Sequence, residues 1–347
     1  MPNKKRILVT RFSALGDVAM TIPVLWSIVK QNPDYEIVFV SQGFAAPMVS
    51  GITGITFVKA DLKGKHKGFL GMYKLAKELK QTGEFCCYAD LHNVLRTKIL
   101  RLLLSASIPQ IAVIDKGRKE KRALTRKNNK VFAQLGHSVV RYANVFKTLG
   151  LNNTISFGGL MSKPCKLQGT EETLLGNKDC TWIGIAPFAK HKGKIYPLNK
   201  MEEVIKLLSA RENTKLFLFG GGPQETETLQ SWESKFSNTI SLAGKLKLDG
   251  ELRVMSNLDV MLSMDSANMH LASLVQTPVV SIWGATHPFA GFYGWEQSQE
   301  LAVQVDLSCR PCSVFGDKPC FRKDYACMND ITPQMVVERI ESAIQTL

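Results

Sequence analysis

Short apolar runs alternate with amphipathic stretches along this 347-residue chain, and they do so twice. The first series is "RILVT" (6–10) followed by 18–31, "EIVFV" (36–40), "ITFVK" (55–59) followed by 69–81, "FCCYAD" (85–90) followed by 94–105, and "QIAVI" (110–114) followed by 131–149. The pattern stops near Gly150, and 151–180 is rich in Gly, Asn, Thr and Lys, as a connection would be. It resumes with "TWIGIAP" (181–187), "KLFLFGGG" (215–222), "LDVMLSMD" (258–265) and "PVVSIWG" (278–284), separated by helical stretches at 199–211, 224–236 and 268–276. Strands of about five residues joined by helical crossovers imply parallel sheets covered on both faces. The expected fold class is α/β, with two doubly wound Rossmann-like domains. Such sheets bind ligands beyond the carboxyl ends of their strands, so the chemistry should lie just after the apolar runs.

The charge is unevenly divided. Residues 1–150 hold 25 Lys and Arg against 9 Asp and Glu, whereas 151–347 hold 19 against 21. The densest run, 116–130 ("KGRKEKRALTRKNNK"), has eight basic residues and one Glu. A run like this is ordinarily a solvated face, but a whole half so basic implies an anionic partner: nucleic acid, a membrane surface or a phosphorylated substrate. Nucleic acid is disfavoured, because the run has no aromatic residue to stack on bases. No stretch approaches the ~20 apolar residues of a spanning helix, and Arg11 and Asp17 interrupt any signal-like segment. The expected location is cytoplasmic.

The turns carry the specific residues. "RFSALGD" after the first run holds Arg11, Ser13 and Asp17, and "DLHNVLR" holds Asp90, His92 and Arg96. In the second half, "APFAKHKGKIYP" brings Lys190, Lys192 and Lys194 between a strand and a helix, where cations and free N–H groups make an anion site. "GGGPQE" lets backbone approach a ligand. "DSANMH" opens a helix with two good N-cap residues, Asp265 and Ser266. Neither a G-x-G-x-x-G fingerprint nor a P-loop occurs, which disfavours NAD enzymes and P-loop NTPases.

Taken in order, "SALGDVAMTIPVL", "DLHNVLRT", "KIYP", "GGGPQE" and "DSANMH" with "TPVVSIWGATHP" resemble glycosyltransferase family 9, the ADP-heptose:lipopolysaccharide heptosyltransferases. The resemblance runs from about residue 6 to the C-terminus. It implies a GT-B fold, two domains facing across a cleft: an acceptor domain at 1–160, a nucleotide-sugar domain at 175–332, and a C-terminal helix at 333–347 returning to the first. It also implies inverting transfer of heptose from ADP-heptose to the lipopolysaccharide inner core (Kdo-lipid A or heptosyl-Kdo-lipid A), at the cytoplasmic face of an anionic inner membrane. Asp17 matches the general base. Lys194 matches a diphosphate-binding lysine, and Asp265, Ser266, Ala267 and His270 match the donor motif. Glu225 matches an acidic residue beside the nucleoside, and Ala189 and Lys190 fall on the donor side. Arg11, Ser13, Arg96, Arg118 and Arg122 fall on the acceptor side. The chain departs from the family where it has Ala267 for glycine and Asn268 for proline. Another nucleotide sugar in the same fold, or an epimerase of similar fold, is the alternative; a basic nucleic-acid-binding protein is a more distant one.

The chemistry is consistent with these roles. Inverting transfer needs a base for the acceptor hydroxyl, because attack occurs at an oxocarbenium-like centre. A half-enclosed carboxylate with raised proton affinity suits that task. Lysines and helix N-termini stabilise the departing diphosphate, and no D-x-D pair stands at a donor-side turn, so no catalytic metal or other cofactor is expected. Cys309, Cys312, Cys320 and Cys327, spaced C-x2-C-x7-C-x6-C, are candidates for a structural zinc site. A stable disulfide is not expected in a reducing cytosol.

Overall fold

The computed structural model describes residues 4–345. The chain forms two compact units. The first runs to Lys116 and takes up Ser138–Gly158; the second holds Gly117–His137 and the chain from Gly159.

In the first unit the elements run β1 (Lys5–Thr10), α1 (Leu15–Ala19), α2 (Ile22–Gln31), β2 (Tyr35–Ser41), β3 (Ile55–Lys59), α3 (Gly68–Gln81), β4 (Cys87–Asp90), α4 (Leu95–Leu104) and β5 (Gln110–Val113). The strands pair in parallel in the order β3-β2-β1-β4-β5. Ile7, Leu8 and Val9 are fully buried, as a central strand covered on both faces requires. The 18–31 stretch is two helices, not one. α1 ends at Ala19, Thr21 hydrogen-bonds back to the Val18 carbonyl at 2.7 Å, and Pro23 sits in the first turn of α2, where its missing N–H costs nothing.

α5 (Arg118–Thr125) belongs to the second unit, and the chain then returns to the first as α6 (Ser138–Thr148). This departs from the 1–160 boundary expected of the first domain. The expected helix over 131–149 starts only at Ser138; the preceding residues are tied to the second unit, with the Leu135 N–H on the Phe289 carbonyl at 2.9 Å. Much of the basic run is structural as well. The Lys130 ammonium donates to the carbonyls of Cys309, Arg310 and Pro311 at 2.8–3.0 Å, and Lys121 lies buried 4.0 Å from the Phe292 ring centre.

The second unit continues with α7 (Thr170–Leu175), β6 (Thr181–Ala186), α8 (Leu198–Ser209), β7 (Thr214–Leu218), α9 (Pro223–Lys235), β8 (Thr239–Ser241), α10 (Leu248–Asn257), β9 (Val260–Met264), α11 (Ala267–Leu274), β10 (Val279–Ile282), β11 (Ala302–Val303), α12 (Ala326–Asn329) and α13 (Pro333–Gln345). Its parallel sheet runs β11-β10-β9-β6-β7-β8. β8 and β11 are too short to show any periodicity in the sequence. α13 packs on α8, β9 and β10 of its own unit, through Val336, Val337 and Ile340, in place of the expected return to the first.

Asp90, at the end of β4, shows how the first unit fixes a strand end. Its buried carboxylate accepts from the N–H groups of His92 (2.9 Å) and Asn93 (2.8 Å) and faces Arg101 at 3.3 Å. Asp90→Ala should cost about 3 kcal/mol, the lower end for breaking a buried ion pair, because Arg101 stays partly solvated. Urea unfolding at neutral pH measures it, and a loss within experimental error of zero would show that the turn does not need the carboxylate.

Candidate active site

Each sheet has one place where the strand order reverses, between β1 and β4 in the first unit and between β6 and β9 in the second. The segments leaving those four strands hold most of the acceptor-side and donor-side residues singled out from the sequence; Glu225 follows β7, and Arg118 and Arg122 follow β5.

After β1, Arg11 is buried and its guanidinium faces two ways. One nitrogen donates to the Leu91 carbonyl at 2.9 Å, and the other pairs with Asp17 at 2.6 Å. Tyr142 of α6 lies under it, 5.7 Å from ring centre to guanidinium. Burial opposes the charge on Arg11, but Tyr142 and Asp17 outweigh it and the pKa is raised. The loop is pinned from β2 as well: Ser41 donates to the Arg11 carbonyl at 2.6 Å and Gln42 to that of Phe12 at 2.8 Å. Asp17 is at the third position of α1, where it accepts the Ala14 N–H at 3.2 Å, and its side chain is 34% exposed. The carboxylate therefore caps the helix and stays partly open. The half-enclosed carboxylate expected from the sequence is 34% exposed and paired with a buried guanidinium.

His92 closes this cluster from the β4 side. Its Nδ1 accepts the Phe12 N–H at 3.3 Å, so the ring is held as neutral imidazole. Burial, then the charges of Arg11, Lys116 and Arg96, push its pKa down to about 3 against the pull of Asp17. Ser13 is half-buried in the β1 loop and Arg96 is exposed in the first turn of α4. Arg118 and Arg122 are exposed on α5, in the second unit.

In the second unit, Lys194 leaves the loop after β6 and pairs with Asp265, after β9, at 2.8 Å. Both are largely buried. The lysine stem lies on Gly316, whose positive φ and lack of Cβ make room for it; a Cβ there would stand 2.4 Å from Lys194 Cγ. Ser266 is the N-cap of α11 but makes no capping hydrogen bond, its hydroxyl meeting that of Ser263 at 3.2 Å. Ala267 opens the helix, and His270 is buried in it. Glu225, in the first turn of α9, accepts the Gly221 N–H at 2.9 Å and so holds the triple-glycine turn. Ala189 packs against the core of the unit, and Lys190 is exposed.

Cys309, Cys312, Cys320 and Cys327 all border one small cavity, and all four are free thiols. Burial pushes the Cys312 thiol up and that of Cys327 to about 11. The donor set of a zinc site is present but its spacing is not. Among the described residues, no three His, Cys, Asp or Glu side chains are set to hold a metal ion.

Two parallel α/β units of this strand order, each with charged groups at its reversal point, make up the GT-B fold of a glycosyltransferase. The profile of glycosyltransferase family 9 (heptosyltransferase) matches residues 72–319, more than half of the chain, and the protein belongs to that family. A lipooligosaccharide heptosyltransferase 2 of Campylobacter jejuni is 23% identical over 95% of this chain and 96% of its own. A family 9 glycosyltransferase of Veillonella parvula superposes with a TM-score of 0.75 at 20% identity, over 100% of this chain and 99% of the other. The Escherichia coli heptosyltransferase WaaC, solved with ADP, gives 0.69 at 19% identity, over 97% and 99%.

Tyr142 and the Gly316 turn contribute to the two clusters without a sequence signal, since both arrive from distant segments. His92 is visible in the sequence, but its role as an acceptor to the β1 loop is not.

The state of His92 has a measurable consequence. Its folded pKa lies below the usual value near 6.5, so between those limits the unfolded chain binds the extra proton and stability falls as pH drops. The slope is about 1.4 kcal/mol per pH unit. His92→Gln should therefore lose roughly 2–3 kcal/mol less than wild type when unfolding is measured at pH 4 instead of pH 6. Parallel curves would mean that His92 titrates normally.

Proposed function

We propose that this glycosyltransferase moves heptose from ADP-heptose to the inner core of lipopolysaccharide, with inversion and without a metal. The observation that carries this reading is the buried Lys194–Asp265 pair beside an N-cap serine that leaves its helix uncapped by its own side chain, in a family 9 chain. A diphosphate takes up the Lys194 ammonium and the first N–H groups of α11, which together offset the charge that develops as ADP leaves. Asp265, relieved of part of its pairing, and His270 serve the nucleotide sugar; Glu225 keeps the glycine turn open to the nucleoside. The solved WaaC complexes, with ADP and with an ADP-2-deoxy-2-fluoro heptose, support an ADP-sugar as donor.

The first unit serves the acceptor. Asp17 accepts the proton of the attacking hydroxyl as the glycosidic bond forms. Arg11 is a positioning residue: it aims the carboxylate and balances its charge. His92 is neutral at physiological pH and takes no part in proton transfer. No helix among the described residues is long and apolar enough to cross a membrane, and the enzyme meets its lipid-linked acceptor as a peripheral protein at the cytoplasmic leaflet.

Four outcomes test the reading. Asp17→Asn should abolish transfer and leave ADP affinity, measured by calorimetry, unchanged; loss of both would make Asp17 a structural or donor residue. Lys194→Ala should weaken ADP binding by roughly 1–3 kcal/mol, the range for a charge-assisted hydrogen bond left unmade, and unaltered binding would break the donor assignment. Transfer should proceed fully in EDTA. Tighter binding of UDP than of ADP would point to another nucleotide sugar.

A further inference from the structure

The first unit carries a surface with no role in the chemistry above. α3 buries Gly71, Met72, Leu75, Ala76 and Leu79 on one side. On the other, its first two turns hold Phe69, Leu70 and Tyr73 at 60%, 74% and 55% exposure. The three span about 100° of helix surface. Lys74, Lys77 and Lys80 continue the exposed side, and Lys63, Lys65 and Lys67 stand exposed on the loop before the helix. From Lys59 to Lys80 there are seven lysines and two carboxylates. Both carboxylates are engaged: Asp61 accepts the N–H groups of Gly64 and Lys65, and Glu78 pairs with Lys65 and His66. α4, packed beside α3, adds Leu95 and Leu102, each 73% exposed, and an exposed Lys98.

The lysine loop is built to hold its shape. His66 is buried, its N–H donates to the Asp61 carbonyl at 2.7 Å, and its Nδ1 accepts the Asp61 N–H at 3.0 Å. It also lies so close to α3 that a Cβ on Gly71 would stand 2.2 Å from the His66 backbone. An aromatic and leucine tip among exposed ammonium groups, whose two neighbouring carboxylates are engaged within the loop and helix, has the chemistry of a helix that rests in a headgroup layer. The rings enter at the acyl boundary and the lysines meet lipid phosphates.

We propose that the α3 face, led by Phe69, Leu70 and Tyr73 and ringed by Lys63, Lys67, Lys74 and Lys77, docks the enzyme on an anionic lipid bilayer. This rests on the reading that the acceptor is lipid-linked. It puts the membrane contact of the basic half on the loop and helix at 59–81, whereas Lys121 and Lys130 of the 116–130 run are used internally.

Sedimentation with vesicles of phosphatidylcholine containing phosphatidylglycerol tests it on the full chain without substrate. Wild type should bind, less as salt rises, and bind phosphatidylcholine alone poorly. Phe69→Ser with Leu70→Gln, and separately Lys67→Gln with Lys74→Gln and Lys77→Gln, should each reduce binding by about tenfold or more. Arg118→Gln with Arg122→Gln should leave it unchanged. Transfer to a lipid-free acceptor should be unaffected in both α3 variants. Absence of wild-type binding, wild-type binding by both α3 variants, or loss concentrated in the α5 variant would overturn the proposal. Loss of transfer to the lipid-free acceptor would instead make this face part of the acceptor site. If vesicle binding follows the α3 face but no heptose is transferred to any lipid-linked acceptor, the functional reading fails and the docking face stands.

Discussion

The organisation of this enzyme depends on the reversal of strand order in a parallel sheet. Where β1 and β4, or β6 and β9, lie side by side, their connections leave in opposite directions, and the loops beyond the strand ends are not covered by a crossover helix. Each unit puts one ion pair there: Arg11 with Asp17 in the first, Lys194 with Asp265 in the second. The two pairs differ in what they leave exposed. In the first the cation is buried and the carboxylate is the more open partner. In the second both partners are largely enclosed.

Pairing of this kind lets a chain keep charged groups ready at a site before substrate arrives. A lone buried ammonium or guanidinium is expensive, so each is held by a carboxylate or by carbonyls. Arg310 shows the purely structural version. Buried among the carbonyls of Gly284, Trp283 and Thr286 and the Gln304 side chain, it braces the loop after β10. Its pKa is lowered by burial.

The fold was legible because both sheets are built from strands that are apolar on both faces, separated by helices with a clear polar side. β6, β7, β9 and β10 stand where the second series of apolar runs put them. β8 was not legible: a three-residue strand carries no period. The helix over 131–149 was misjudged because its periodicity continues upstream of Ser138 into a segment committed to the other unit, which local pattern cannot show. The site was legible where residues follow strands directly, as with Asp17, Lys194, Asp265 and Ser266. It was not legible where the meaning of a residue lies in its partner. Nothing local tells that Arg11 serves Asp17, or that the glycine at 316 makes room for Lys194 from more than a hundred residues away. The basic half was read as one anion-binding surface; the structure divides it between internal lysines such as Lys130 and exposed ones such as those around α3.

The central claim is a division of labour, donor to the second unit and acceptor base to the first. Hydrogen–deuterium exchange with and without ADP measures it directly. The account predicts slower exchange in the loop over 187–194, the glycine turn at 220–225 and the first turn of α11, with the 11–17 loop and the turn at 91–93 unchanged. Protection centred on Arg11–Asp17, with the Lys194 and α11 segments unaffected, would contradict it.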